Sequence, residues 1–319
     1  MPSIYAHYRF GTALLPTLPA DVRKTIQRFR SLYDMGLHGP DIFYYSSPVI
    51  HTGADYLGIK FHEQTGREFF SRVCRAVRLE RSEGALAYLY GLLTHYCLDS
   101  LCHEVIHQLT QQENLQHMEL ETEFDRYLLE QDGKVPAYAQ DLSPHISLTV
   151  GECETVSKFY PPAKPNAIRR CVGNMAFYTR LLASPDGVGR TVLEKGIRAL
   201  PREIQGMLMG KTPNAACAIH CDRLMDAYRS AMEQFPVYLE QLREHMTYSA
   251  QFGGEFEKHE PRVARPAGGQ TGIYSVRGER LWHFTAKKLW IISCTPGMWA
   301  ALRTQTASAR SAMPSAATL

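Results

Sequence analysis

Within residues 95–121, five His, Asp and Glu side chains able to hold a divalent metal stand at four-residue steps on two segments, and their spacing constrains the fold more than anything else in the chain. The order is His95, Asp99 and His103, then His117 and Glu121. The first three stand at four-residue steps, as do the last two, so each set shares one face if its segment is helical. The run before His95 is apolar, with Ala85, Leu86, Tyr88, Leu89, Leu92 and Leu93. A helix that starts apolar and then turns His and Asp inward predicts a metal site in the core of a helical bundle. Imidazole nitrogen and carboxylate oxygen are the usual protein ligands of zinc besides thiolate, and two consecutive helices carry enough of them here for more than one ion. A lone His on an apolar face is ordinarily a core histidine with one hydrogen bond. HxxxDxxxH followed closely by HxxxE is much harder to reach by chance.

The remainder of the chain reads as helix as well. A first helix is expected from Pro19 or Ala20 to Gly36, with Val22, Ile26, Phe29, Leu32 and Tyr33 on one side. Gly39-Pro40 then fixes a tight turn that delivers Asp41 at the mouth of an apolar run. Residues 46–58 read as a polar loop, and His62 as the start of a helix that ends near Glu80. Helices over 84–107 and 117–131 follow, separated by a polar turn at 110–116. Ser143-Pro144 and Pro165 are read as helix starts, by cap and first-turn proline. The longest helix is expected at 215–247, bent at Pro236. No stretch alternates with a period of two. The expectation is therefore all-α, a single multi-helix bundle domain over residues 1–255. After Gly253-Gly254 the composition changes, and residues 256–319 read as a partly disordered C-terminal extension. Its one apolar patch, Leu281 to Leu302, either covers the domain, docks on a lipid interface or is incidental.

Composition narrows the function classes. Hydrophobic residues make up 45% and charged residues 21%, ordinary for a soluble domain, and the net charge is only +3. That charge does not argue for nucleic acid, and no stripe of Arg or Lys with aromatics is present. None of the eight cysteines forms a CxxC pair, which predicts reduced thiols. The first residues show no basic segment followed by an apolar one, and no apolar run reaches the length of a spanning helix, so a cytoplasmic protein is expected.

The ordered set His7, Asp41, His62, His95, Asp99, His103, His117, Glu121 resembles the bacterial zinc-dependent phospholipase C family. That family includes the phosphatidylcholine-hydrolysing enzymes and the clostridial alpha-toxin catalytic domain, and the single-strand nucleases share its fold. The resemblance spans about residues 1–250. It implies an all-helical fold with a zinc cluster, two or three ions here. Asp41, His62, His95 and Asp99 would hold the first ion, and His103, His117 and Glu121 a second. His7, with Asp99 bridging, would contribute to a third. Asp41 is the candidate general base, as the resemblance implies, or a ligand that orients water. The substrate would be a phospholipid or small phosphodiester, with peripheral contact to a membrane.

This chain departs from the secreted enzymes in three ways. It shows no signal peptide, no terminal Trp to give its amine to the third zinc, and a shorter Asp99-to-His103 step. The Pro2 amine, five residues before His7, is one replacement for that Trp. The other is that residues 1–6 only pack Ile4 and Tyr5 on the bundle. His107 is the alternative ligand should His103 be misplaced, and His38 sits beside the Asp41 turn. His51, His145, His220, His245, His259 and His283 read as surface or packing residues. Two other readings stay open: a metal-binding helical protein without turnover, and a nuclease-like phosphodiesterase.

Overall fold

A computed structural model describes residues 4–46, 55–199 and 205–258. No strand occurs among them, and the architecture is all-α. The twelve α-helices described below are α1 (Ile4–Leu14), α2 (Ala20–Arg28), α3 (Arg30–Gly36), α4 (Asp55–His62), α5 (Gly66–Glu80), α6 (Glu83–Gln112), α7 (His117–Gln131), α8 (Val150–Ser157), α9 (Pro165–Leu182), α10 (Val188–Ile197), α11 (Ala215–Ala218) and α12 (Cys221–Tyr248).

The bundle is built around α6. Ser82 caps its first turn by accepting the Ala85 N–H at 3.3 Å. Apolar residues then face inward on nearly every side, which is the pattern of a helix surrounded by others. α3 and α12 pack along it, with α1, α2, α5 and α7 completing the ring. The closest approach is between α3 and α6, at Gly36 and Gly91. A Cβ on Gly91 would lie 2.2 Å from the Tyr33 carbonyl, and one on Gly36 would lie 2.5 Å from the Tyr88 carbonyl. Only hydrogen fits at either position. This crossing brings the chain after α3, which carries Asp41, up to the middle of α6, which carries His95.

The opposite flank of α6 is aromatic. Phe43 and Phe61 meet Tyr160 edge-on, with ring centroids 5.0 and 5.1 Å apart, and the Tyr88 hydroxyl donates to the Tyr160 hydroxyl at 2.8 Å. Such edge-to-face pairs add to the area that each ring buries. The final turn, Gly254–Glu257, lies on this side. Phe256 is fully buried there, stacked on Tyr96, whose hydroxyl donates to the Glu255 and Lys258 carbonyls.

Several boundaries differ from the sequence expectation. Residues 4–14 form a helix that was not anticipated. The expected helix from Ala20 to Gly36 is two, broken at Phe29, which takes φ −125° and ψ 50°; neither Gly nor Pro marks the break. His62 ends a helix instead of starting one. The next helix is started by Thr65, whose side chain accepts the Glu68 N–H while Glu68 accepts the Thr65 N–H. Ser143-Pro144 starts no helix, because Thr149 and Glu152 form the same reciprocal cap and place the start of α8 later. The longest helix is α6, at 30 residues. The 215–247 segment is interrupted at Ile219 and His220, and α12 runs on through Pro236. By contrast, His117–Gln131 and the Pro165 start match the expected bounds. The cysteines among the described residues carry no disulfide. No helix among them is long and apolar enough to cross a membrane. Pro2, His51, His259, His283, Cys294 and the Leu281–Leu302 patch lie outside the described residues.

Candidate metal centre

Five pieces of chain meet around the middle of α6. His7 comes from α1, Asp41 from the 3-10 turn Gly39–Tyr45, and His62 from the last residue of α4. α6 supplies His95, Asp99 and His103, and α7 supplies His117 and Glu121 from its first two turns. Six of these are buried, while His62 and His117 are partly exposed and mark the side open to solvent. All eight residues proposed from the sequence are therefore brought together.

Their donor atoms fall into three sets, in each of which the ligand atoms lie within 4.8 Å of one another. One set is His7, His95 and Asp99, a second Asp41, His62 and His95, and a third His103, His117 and Glu121. Asp99 is the centre of the arrangement. Its Oδ1 lies 3.0 Å from His7 Nε2, and its Oδ2 lies 3.4 Å from His95 Nε2 and 3.7 Å from His103 Nδ1. Glu121 Oε1 meets His103 Nε2 at 3.2 Å and His117 Nε2 at 3.1 Å. Asp41 Oδ1 lies 3.1 Å from His62 Nε2.

Backbone carbonyls fix two of the imidazoles. His95 Nδ1–H donates to the Leu37 carbonyl at 3.2 Å, and His62 Nδ1–H donates to the Gly58 carbonyl at 2.5 Å. Each bond sets the tautomer so that the Nε2 lone pair points into the site, as metal-binding histidines require. Gly39 makes the first possible. It has φ +46°, and a Cβ there would lie 2.6 Å from His95 Cδ2.

The electrostatics suit a polycation. Burial pushes the Asp99 carboxyl up, but His103, His95 and His7 hold it well below the carboxylate range. Glu121 is likewise held low against burial, by His117 and His103 among others. Burial drives His95 down to about 4, so it stays a neutral donor. Burial also opposes protonation of His7 and His103, yet Asp99 raises the first and Asp99 with Glu121 raises the second. His7 Nδ1 and His103 Nδ1 are buried with no hydrogen-bond partner among the described residues. Ionised carboxylates facing histidine nitrogens, some of them unsatisfied, are a donor set that fits divalent metal.

The model of the family described as zinc dependent phospholipase C matches residues 6–160. The match covers just under half of the chain, and that stretch is similar to the zinc dependent phospholipase C family. It contains every candidate ligand. No curated protein and no solved structure matches the chain. Helices α9, α11 and α12 lie beyond the matched stretch but contribute to the same core, and α12 packs directly on α6.

The other described histidines lie outside the three donor sets. His107 is half-buried and receives a hydrogen bond from the Gln111 amide at 3.0 Å, away from all three donor sets. His145, expected at the surface or in packing, stacks on Tyr8 at 4.0 Å and has its Nε2 2.8 Å from that of His38. One nitrogen must donate and the other accept, so the bond needs both rings neutral or one charged, never both. The spacing gave no signal of this pair, because the loop that carries His145 returns to α1 only in the folded chain.

This pair has a pH signature. Burial lowers His145 to about 4, aided by Arg30, and lowers His38 well below 6.5. Above pH 6.5 folded and unfolded chains are both neutral at His145, and its contribution is complete. Between 6.5 and about 4 the unfolded chain takes a proton that the folded one refuses, so stability falls with acidity. We expect His145→Phe to cost about 1 kcal/mol at neutral pH through the lost hydrogen bond. By pH 5 the variant should have regained about 2 kcal/mol relative to wild type. Denaturant titrations of the metal-free proteins at both pH values check this; parallel losses would refute it.

Proposed function

We propose that this protein is a zinc-dependent phosphodiester hydrolase of phospholipase C type, with two or three zinc ions. The observation that carries the proposal is the three neighbouring donor groups, two of which share His95, with Asp99 within 4 Å of His7, His95 and His103. In this reading Asp41, His62, His95 and Asp99 hold one ion, and His103, His117 and Glu121 another. His7 and the bridging Asp99 contribute to a third. Bound zinc would supply Lewis acidity toward phosphoryl oxygens and acidify water. Burial pushes the Asp41 carboxyl up, but its His62 hydrogen bond, among other influences, holds it below its ordinary range, so it is ionised at neutral pH. It can therefore take the proton that the attacking water gives up. The rigid Gly39-Pro40 turn fixes that carboxylate relative to His95. His62 and His117, on the open side, border the face from which a phosphodiester would approach.

We take residues 1–255 as the hydrolase domain and 256–319 as an extension. The substrate would be a phospholipid, met at a membrane surface, or a smaller phosphodiester. Zinc measured by mass spectrometry, on protein purified without an affinity-metal step, should give two to three ions per chain. The same preparation should hydrolyse p-nitrophenyl phosphocholine or phosphatidylcholine liposomes and leave single-stranded DNA intact. Folded protein without zinc defeats the proposal. Zinc without turnover on the whole panel would instead mark a metal-binding protein, and cleavage of the DNA a nuclease.

A further inference from the structure

We propose that Asp125 is the positioning residue for His7, its buried carboxylate holding the first turn of α1 so that the imidazole reaches Asp99 and His95. The inference rests on the metal-centre reading above.

Asp125 is 2% exposed. Its Oδ2 accepts the Tyr5 N–H at 3.0 Å and its Oδ1 accepts the Ala6 N–H at 2.8 Å. α1 begins at Ile4, so both amides belong to the opening turn, where N–H groups have no intrahelical carbonyl to reach. A carboxylate there also meets the positive end of the helix dipole. Helix caps ordinarily come from the residue just before the helix. This one comes from α7, a different element.

The histidines differ in what fixes them. His62 and His95 are each oriented by an Nδ1–H bond to a carbonyl. His7 has no such bond, and its Nδ1 is buried without a hydrogen-bond partner among the described residues. Its ring is placed by the Asp99 contact at 3.0 Å, by packing on the His95 ring at 4.6 Å, and by its backbone. That backbone is pinned one and two residues earlier, by Asp125. Asp125 also follows Glu121 by four residues on α7, one turn along the same face. One rigid helix thus carries a ligand of the His103 set and the clamp of the His7 set, and fixes the distance between them.

A second clamp, just past the end of α7, provides a control. Asp132, on the outer side, accepts from the Tyr5 hydroxyl at 2.6 Å and from Arg9 at 2.7 and 3.0 Å. It holds side chains of α1 and leaves the Tyr5 and Ala6 amides alone.

Asp125→Asn keeps the shape but turns an amide NH2 toward one of the two N–H groups. In zinc titrations the variant should bind the His7-dependent ion about 10- to 100-fold more weakly, while the His103, His117 and Glu121 ion keeps its affinity. Amide hydrogen exchange at Tyr5 and Ala6 should accelerate, with or without metal. The absorption spectrum of the cobalt-substituted protein should change as it does in His7→Ala. In the His7→Ala background Asp125→Asn should add no further loss of metal, and Asp132→Asn should keep all ions. The inference is overturned if Asp125→Asn titrates like wild type, if all ions weaken together in step with Tm, or if the losses add in the double variant. Wild-type protein that binds no zinc overturns the metal reading, and the Asp125 inference with it. Failure of the inference alone is recognised by a loaded wild type that the variant matches.

Discussion

Asp99→Asn should abolish hydrolysis and cost the protein more metal than any other single replacement in the centre. Asp99 stands 3.0 Å from His7, 3.4 Å from His95 and 3.7 Å from His103, and so touches histidines of more than one donor set. The amide keeps one oxygen, loses the charge, and aims an NH2 at a nitrogen that must offer a lone pair. A residue that joins two ions should lose more than the 10- to 100-fold in affinity typical of an outer-shell partner, and about that order or more in rate. His117→Ala is the comparison, because His117 meets only Glu121 among the centre's carboxylates. Its loss should remove about one ion. Zinc content and initial rates measured together decide the matter. Equal metal in wild type and Asp99→Asn would contradict the bridging role. A purely structural Asp99 would lower Tm equally in metal-free and zinc-loaded protein, with no change in stoichiometry.

The second large effect concerns the register of α6. His103→Ala, His117→Ala and Glu121→Gln should behave alike, each losing about one zinc and most activity, because these three donors form one set. His107→Ala should keep both. Helix geometry gives the reason. Each four-residue step advances the side-chain direction by about 40°, so His107 has rotated about 120° from His95 and has left the centre. His103 is at two-thirds of that rotation and still faces Glu121, which α7 brings to 3.2 Å. The hydrogen bond that His107 receives from Gln111 is the local sign of the different face. If His107→Ala loses the ion and His103→Ala does not, the register of the helix end is one turn out.

The candidate ligands were legible because most of them obey short-range rules. His95, Asp99 and His103 need only a helix to share a face, and so do His117 and Glu121. The α7 bounds followed from the same periodicity, and the start at Pro165 from the proline itself. Asp125 stands at the next four-residue step after Glu121, so its direction was also implicit. Its role was not, since nothing in the local pattern says that α1 starts against it. The His38–His145 pair had no local signal of any kind. Starts were misplaced where two capping signals competed. Ser143-Pro144 lost to Thr149 with Glu152, and His62 was read as a start although Thr65 with Glu68 was three residues away. In both places the reciprocal cap, which satisfies two backbone donors, prevailed over the weaker signal.

The sequence by itself determined the helical class, the residue types at the centre and the direction in which most of them face. Those properties depend on the repeat of a single helix and on the chemistry of individual side chains. Only the tertiary structure decided that α6 is the axis of the bundle, because its surroundings depend on the Gly36–Gly91 approach between helices distant in sequence. It also decided that His7, Asp41 and His62, from three separate segments, join Asp99 and His95. Their meeting depends on a left-handed glycine, on carbonyls at Leu37 and Gly58, and on a carboxylate from α7 pinning the start of α1. Contacts of that kind are set by how whole elements pack, and no window of neighbouring residues contains them.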